Sequence, residues 1–296
     1  MNDMNNVDVS VIMPAYKQAK YLEQAIFSVL DQVFSGVLEL ILADDKSPDD
    51  TEAIVRKIIE THPKGSAIVY FRNEPNLGMA KNYHKALSVA KGRYLAFCEG
   101  DDYWSDPYKT QKQFDFLESH PDYNTCVGRY KFLFEEEQRF EENRELFDIS
   151  KPLSLKNYLA FNFGHTTTFF IRNNFKLPEW VDNWVFSVDQ CLIIYGTGEG
   201  KIKYFEDFLT VYRMHQKNQT SNAAAETHSA NNLRFLENVN KDLGGKYERL
   251  IDNRKKLNTF YWNLVQQSNP VMKLVLKARY VWQRWYGINV LAKKGA

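Results

Sequence analysis

Two adjacent carboxylates, Asp101 and Asp102, close the segment Glu99-Gly100-Asp101-Asp102 directly after a short apolar run, Tyr94-Leu95-Ala96-Phe97-Cys98. Ionised carboxylates side by side repel each other, so the pair requires a compensating charge from water, a cation or a basic side chain. A divalent cation is the simplest compensator. Hard oxygen donors with no His or Cys in the same run favour Mg²⁺ or Mn²⁺ over zinc. Gly100 permits the backbone to approach a ligand closely. An ordinary acidic loop would carry the same residues, so the reading depends on what else the fold brings to this place.

The elements that must position the pair alternate between strand-like and helix-like segments. Val9-Ser10-Val11-Ile12-Met13 reads as a buried strand ended by Pro14, and Tyr21 to Leu30 has apolar residues at helical spacing. Leu38 to Ala43 reads as strand and Thr51 to Thr61 as helix, with Asp49 or Asp50 as N-cap. A third unit runs from a strand at Ala67 to Phe71 into a helix from Gly78 to Ala90. Gly92 then stands where a C-cap glycine belongs, before the strand that feeds Asp101. Such alternation predicts an α/β fold with a mostly parallel, Rossmann-like central sheet covered by helices on both faces.

In a sheet of this kind ligands bind beyond the carboxyl ends of the strands. Three polar loops therefore meet: Pro14-Ala15-Tyr16-Lys17-Gln18, Asp44-Asp45-Lys46-Ser47 and Glu99-Gly100-Asp101-Asp102. Acidic residues in two of the three favour a site over an incidental acidic loop. Past Pro107 the pattern predicts a helix over Gln111 to Ser119, strands near Cys126 to Phe134 and Thr166 to Ile171, and a helix over Val188 to Tyr195. Glu135 to Glu145 reads as a solvated acidic loop or helix. Gly196-Thr197-Gly198-Glu199-Gly200 follows a helix instead of a strand and reads as a turn, not a dinucleotide loop. Beyond Ala223 the signals are helical.

The chain has 296 residues, 44% of them hydrophobic and 25% charged, which is enough for a full core and excludes a disordered class. The polar start and the lack of a long apolar run predict a cytoplasmic protein, placed if membrane-bound at the inner face of the cell membrane. Cys98, Cys126 and Cys191 are odd in number and widely spaced, so they read as small buried apolar residues. No acidic residue follows Asp252, whereas the same stretch includes Lys273, Lys277, Arg279 and Arg284. A basic tail on an acidic body points to an anionic surface as partner. No feature points to nucleic acid, and the oligomeric state is left open.

Four segments together resemble the family-2 glycosyltransferases of the GT-A fold: Val9 to Tyr16, Asp44 to Asp49, Asn76-Leu77-Gly78, and Glu99 to Trp104. The resemblance continues through Val188-Asp189-Gln190 to Tyr212-Arg213-Met214-His215. It implies a GT-A domain over 1–222, with a nucleotide-binding half at 1–105 and an acceptor-binding half at 106–222, followed by a helical C-terminal extension at 223–296. It also implies inverting, metal-dependent transfer of a sugar from a UDP-sugar donor to a hydroxyl of a glycan or lipid-linked acceptor in bacterial surface-polysaccharide synthesis. In that family the first-loop aromatic stacks on the nucleobase and the second acid of the second loop hydrogen-bonds it. Those roles fall on Tyr16 and Asp45, with Pro14, Ala15, Asn76, Gly78 and Lys81 in the same nucleotide site. Asp102 is implied as the metal ligand, with Asp101 on ribose or a metal-bound water and His215 closing over metal or diphosphate. Asp189 matches the general base, and Arg213 and Ser221 are candidate diphosphate contacts. Trp104 and Trp184 are candidates for an aromatic wall on the acceptor side.

Each role has a structural alternative: a half-buried loop aromatic for Tyr16, a turn-forming Asp45, a helix N-cap at Asp189, a structural His215 and core packing for Trp104. The need for a metal also follows from chemistry. Expelling a diphosphate builds charge that requires a cationic partner, and the N-terminal half has neither a phosphate-binding Gly-Lys loop nor a dense basic cluster. Two rival classes are a sugar-phosphate nucleotidyltransferase, which needs a Gly-rich, Arg-bearing first loop, and a non-catalytic nucleotide- or carbohydrate-binding module. Pro270 to Tyr286 places Val271, Leu274, Val275, Ala278, Trp282 and Trp285 on one helical face and Lys273, Lys277 and Arg284 on another. Such a helix either lies in an anionic membrane surface or docks on its own protein.

Overall fold

The computed structural model describes residues 7–143, 148–160, 162–183, 188–215 and 225–292. The chain divides into two compact units, one of residues 1–152 and 164–215, the other of residues 153–163 and 216–296.

In the first unit, continuous apolar runs become strands buried on both faces. β1 (Val9–Ala15), β2 (Leu38–Asp44) and β4 (Tyr94–Phe97) are almost wholly buried. β1 pairs in parallel with both β2 and β4, and β2 pairs in parallel with β3 (Ile68–Arg72). Pro14 does not end the first strand, which continues to Ala15 in register with Asp44. Because side chains alternate across a strand, Val9, Val11 and Met13 join the core made with α1 (Ala19–Leu30) and α2 (Thr51–Thr61). α3 (Met79–Val89) packs on β1 and β2 and buries Ala80, Tyr83 and Ala86. The three free cysteines are buried.

Beyond β4 the sheet becomes mixed. β5 (Tyr103–Trp104) and α4 (Lys109–Ser119) precede the long strand β6 (Tyr123–Phe134). The acidic stretch after it forms β7 (Arg139–Glu142), which is exposed throughout and pairs antiparallel with β6. Expected as solvated loop or helix, it is instead a hairpin arm whose exposed faces leave no apolar periodicity. In the second unit, β8 (Leu153–Ser154) leads into α5 (Leu155–Ala160). The chain then returns to the first unit. The strand expected at Thr166 to Ile171 starts as a 3-10 turn over Thr166–Thr168, because the Thr168 hydroxyl donates to the His165 carbonyl at 2.7 Å. β9 (Phe170–Arg172) follows and pairs antiparallel with β4 and β6. α6 (Val188–Thr197) and β10 (Lys201–Met214) complete the unit. The 14-residue β10 is a strand the sequence did not announce, since bulges between Phe205 and Thr210 break its alternation. The strand order is β3-β2-β1-β4-β9-β6-β10-β5, with β7 beside β6.

The second unit is otherwise helical: α7 (Ala225–Asp242), α8 (Glu248–Gln266) and α9 (Pro270–Tyr286). α8 packs against α5, α7 and α9 over a core that includes Phe235, Val239, Ile251 and Leu257.

Gly92 is not the left-handed helix cap expected of it; α3 ends at Ala90 in extended backbone. Its role is close packing. A Cβ at Gly92 would lie 2.3 Å from the Ser10 backbone nitrogen, and the Gly92 N–H donates to Ser10 Oγ at 2.7 Å. Gly92→Ala therefore forces backbone apart beside β1, and a loss of about 1–3 kcal/mol is expected in denaturant unfolding; an unchanged midpoint would show that this junction yields.

Candidate active site

The carboxyl ends of β1, β2 and β4 bring the three polar loops together. After β1 the chain turns through Tyr16, which is 37% exposed, and Lys17, which has a positive φ of 59°. Lys17 N–H donates to Ser47 Oγ at 3.2 Å and Asp45 N–H to the Ala15 carbonyl at 3.0 Å, so the first two loops are tied together. Pro14 and Ala15 lie within β1 at this junction.

Asp45 is 3% exposed and holds the loop after β3. Its Oδ1 accepts from Asn73 Nδ2 at 3.0 Å and Leu77 N–H at 2.8 Å, and its Oδ2 accepts from Gly78 N–H at 2.8 Å. Asn76 Nδ2 donates to the Asp45 carbonyl at 2.6 Å. Gly78 takes a φ of 81° at the start of α3, a conformation that favours glycine. Lys81 stands exposed in the first turn of α3. Asp45 is thus the organiser of the turn that carries Asn76 and Gly78, and contact with a base would use its remaining lone pair. Asp44, which the sequence did not single out, accepts from Arg72 at 3.2 Å, Tyr70 at 3.1 Å and Ser47 N–H at 2.8 Å.

Glu99, Asp101 and Asp102 share the end of β4. Glu99 Oε1 accepts from the Tyr83 hydroxyl at 2.8 Å, while Oε2 is buried with no hydrogen-bond partner among the described residues. Burial, with the charges of Asp101 and Asp189 adding to it, pushes the Glu99 carboxyl up to about 7. Asp102 is 2% exposed; its Oδ1 accepts from the Arg213 backbone N–H at 2.8 Å. Its carboxyl is held well above the usual range by burial first and by the Asp101 and Glu99 charges second. Asp101 Oδ2 meets His215 Nε2 at 3.1 Å, and the His215 ring packs on Tyr21 with centroids 5.0 Å apart. The close approach that Gly100 allows is to the Gln18 and Leu22 side chains.

His165 is a site residue that the sequence reading missed, because a single His outside any motif carries no signal. Its Nδ1 lies 3.8 Å from Asp102 Oδ2 and its ring stacks on Tyr212 at 4.1 Å. Burial depresses the His165 imidazole to about 4, so it is neutral near pH 7. Glu99, Asp102 and His165 offer ligand atoms within 4.8 Å of one another. Among the described residues, the imidazoles that stand nearest Asp101 and Asp102 are those of His215 and His165. This donor set fits a hard divalent cation: crowded, partly buried carboxylates, one orphaned oxygen and neutral imidazole beside them.

Asp189 sits in the first turn of α6. α6 packs on α3, whose Tyr83 donates to Glu99, and the Asp189 charge helps to raise both of those groups although it lies far along the chain.

Two expectations are corrected. Arg213 is not turned toward a phosphate: it is 5% exposed, with Nη1 on Glu135 at 2.7 Å, Nη2 on Gln24 at 2.6 Å and Nε on the Asp101 carbonyl at 2.9 Å. Trp104 is not an acceptor wall: it is 4% exposed and its Nε1 donates to the Phe97 carbonyl at 3.1 Å. The Lys109 ammonium lies 4.0 Å over the Trp104 ring, pushed down to about 7 by burial. Both side chains are spent on internal partners. Trp184 and Ser221 lie outside the described residues.

A parallel N-terminal half continued by a mixed sheet, with acidic residues at the end of β4, defines the GT-A class. The family model "Glycosyl transferase family 2" matches residues 10–177, and the chain belongs to that family. An uncharacterised protein of Mycobacterium tuberculosis (strain ATCC 25618 / H37Rv) is 31% identical over 210 residues, 70% of this chain and 59% of that protein. The chain thus spans about three-fifths of the length of the curated relatives of this kind. WfaP of Escherichia coli, a UDP-Glc:α-D-GlcNAc-diphosphoundecaprenol β-1,3-glucosyltransferase, is 38% identical over 111 residues, 38% of this chain and 41% of WfaP. Among solved structures, S. aureus TarS 1–349 in complex with UDP-GlcNAc superposes with a TM-score of 0.66 at 16% identity, over 95% of this chain and 82% of that one.

Two measurements probe this geometry. Arg213→Ala removes one of the two cations on Glu135, the other being Lys20 at 3.3 Å, together with the bonds to Gln24 and the Asp101 carbonyl, and is expected to cost about 1–3 kcal/mol of stability; an unaltered unfolding midpoint would return Arg213 to the ligand side. The raised Glu99 carboxyl makes the fold lose stability as pH rises from about 4.5 through about 7, because the unfolded chain releases its proton first. A divalent cation needs the ionised form. Mn²⁺ should therefore raise Tm more at pH 7.5 than at pH 5.5, and a shift equal at both would remove Glu99 from the cation's surroundings.

Proposed function

We propose that the protein transfers a sugar from a nucleotide-diphosphate sugar, a UDP-sugar, to a hydroxyl of a glycan or lipid-linked acceptor, with inversion and with a divalent metal. The observation that carries this reading is the gathering of Tyr16, Asp45, Glu99, Asp101, Asp102, Asp189 and His215 around the ends of β1, β2 and β4. The UDP-GlcNAc named with TarS and the UDP-Glc and diphosphoundecaprenol named for WfaP support a UDP-sugar donor and a lipid-linked acceptor. Bacterial surface-polysaccharide synthesis is the setting that fits these relatives.

The exposed Tyr16 ring offers a face for the nucleobase, worth about 1–3 kcal/mol for a stacked base. Asp45 keeps the Asn76–Gly78 turn in place beneath the nucleotide. Asp101 and Asp102, with His215, would hold the metal, and Glu99 and His165 stand beside them. Bound there, Mn²⁺ or Mg²⁺ would neutralise the charge that builds on the leaving diphosphate. Asp189 takes the proton from the acceptor hydroxyl as that oxygen attacks the anomeric carbon. Attack comes from the face opposite the diphosphate; the bond to the diphosphate breaks as the new glycosidic bond forms, and UDP leaves.

Asp189→Asn should retain UDP binding and lose sugar transfer by about 10²–10⁴-fold, the usual contribution of a positioned base. Transfer by this variant at the wild-type rate would sink the base assignment. UDP titrated calorimetrically should bind at least about tenfold more tightly with Mn²⁺ than with chelator, the equivalent of about 1.4 kcal/mol. Equal affinity in the two conditions would remove the metal from the donor site.

A further inference from the structure

α9 turns its wider apolar stripe away from the helical unit that supports it. It packs on α8 through Tyr280 and Gln283: Gln283 is buried and its Nε2 donates to Asn253 Oδ1 at 2.5 Å, and Tyr280 lies 6.1 Å from the Tyr261 ring. Gly287 lets the helix end approach closely, since a Cβ there would lie 2.5 Å from Asn253 Nδ2. At 3.6 residues per turn, Val271, Leu274, Val275, Ala278, Trp282 and Trp285 fall on the opposite side. Val271 and Leu274 are each 69% exposed, Trp282 59% and Trp285 55%. Exposed apolar side chains at helical spacing form a stripe, not the scattered single residues of an ordinary surface.

The stripe is flanked by cations. Lys273, Lys277 and Arg284 lie along one edge and Arg279 along the other, and residues 253–296 contain no Asp or Glu. The helix is formed without help from a partner: Pro270 opens it, and Asn269 Oδ1 accepts from Val271 N–H at 3.0 Å and Met272 N–H at 3.1 Å. A second copy of this helix would set like charges against like, and an acidic protein groove would leave the two Trp rings without the polar boundary they favour. An anionic bilayer satisfies both sets at once, with apolar side chains below the headgroups, Trp at the boundary and Lys/Arg on the phosphates. We propose that this face of α9 seats the protein on an anionic lipid surface. The proposal is independent of the sugar-transfer reading, because it uses no residue of the carboxylate site.

Co-sedimentation of the full-length protein with vesicles tests it. Binding to phosphatidylcholine vesicles containing phosphatidylglycerol should exceed binding to pure phosphatidylcholine at least about tenfold, since each basic side chain near the surface contributes about fivefold, or about 1 kcal/mol. Leu274→Glu/Trp282→Glu should lose vesicle binding while keeping its circular dichroism and its affinity for UDP. Lys273→Glu/Lys277→Glu should lose the preference for the anionic vesicles. Equal binding to both vesicle types, retained binding by the Leu274→Glu/Trp282→Glu variant, or a wild-type dimer in sedimentation velocity that this variant abolishes without any vesicle binding, would each overturn the proposal.

Discussion

Three carboxylates crowd the end of β4 where little water reaches two of them, and the surrounding structure is organised by that charge. Glu99 is pushed up to about 7 and keeps one oxygen without a hydrogen-bond partner among the described residues, so the cluster is not neutralised internally. What the fold supplies is direction. The far strand β10 brings its Arg213 N–H to Asp102 and carries His215 to Asp101, tying the end of the chain's first unit to its middle. The buried guanidinium of Arg213, bonded to Glu135 and Gln24, locks that crossing. A cluster so held cannot relax by spreading apart, so it sheds charge by holding protons, and its donor chemistry also fits a hard divalent cation.

The second acidic centre works differently. Asp45 spends its carboxylate on Asn73, Leu77 and Gly78, so its charge is absorbed by backbone and amide donors. Charge-assisted bonds of this kind are short and directional, and they fix a loop that has no regular structure of its own. The two acidic loops thus differ: the carboxylate of one is absorbed by its own loop, and the other keeps an oxygen without a hydrogen-bond partner among the described residues. The charge of Asp189, on α6, adds to the forces that raise Glu99.

Most of the first hundred residues were legible because parallel strands buried on both faces leave continuous apolar runs, as in Val9 to Met13 and Leu38 to Ala43. Amphipathic spacing located α1, α2 and α9 for the same reason. Legibility failed where water or irregularity erased the pattern. β7 is exposed on both sides, and β10 carries Glu206 and Asp207 through a bulge, so neither shows a period of two. His165 was invisible because its significance is spatial: a ring stacked on Tyr212 and a nitrogen near Asp102, both distant in sequence.

By itself the sequence determined which residue types were available and where chemistry could gather: carboxylates at strand ends, an aromatic in the first loop, an acid in the first turn of α6, and a C-terminal helix with one apolar and one basic side. These follow from local rules of period, capping and charge. Tertiary structure alone decided which of them face a ligand and which face the protein. Arg213 and Trp104 have the chemistry for a phosphate or a sugar, yet burial and satisfied hydrogen bonds commit them to the core. In α9 both faces could pack by composition. The Gln283–Asn253 bond and the close approach at Gly287 chose the narrow one, and so left Trp282 and Trp285 exposed.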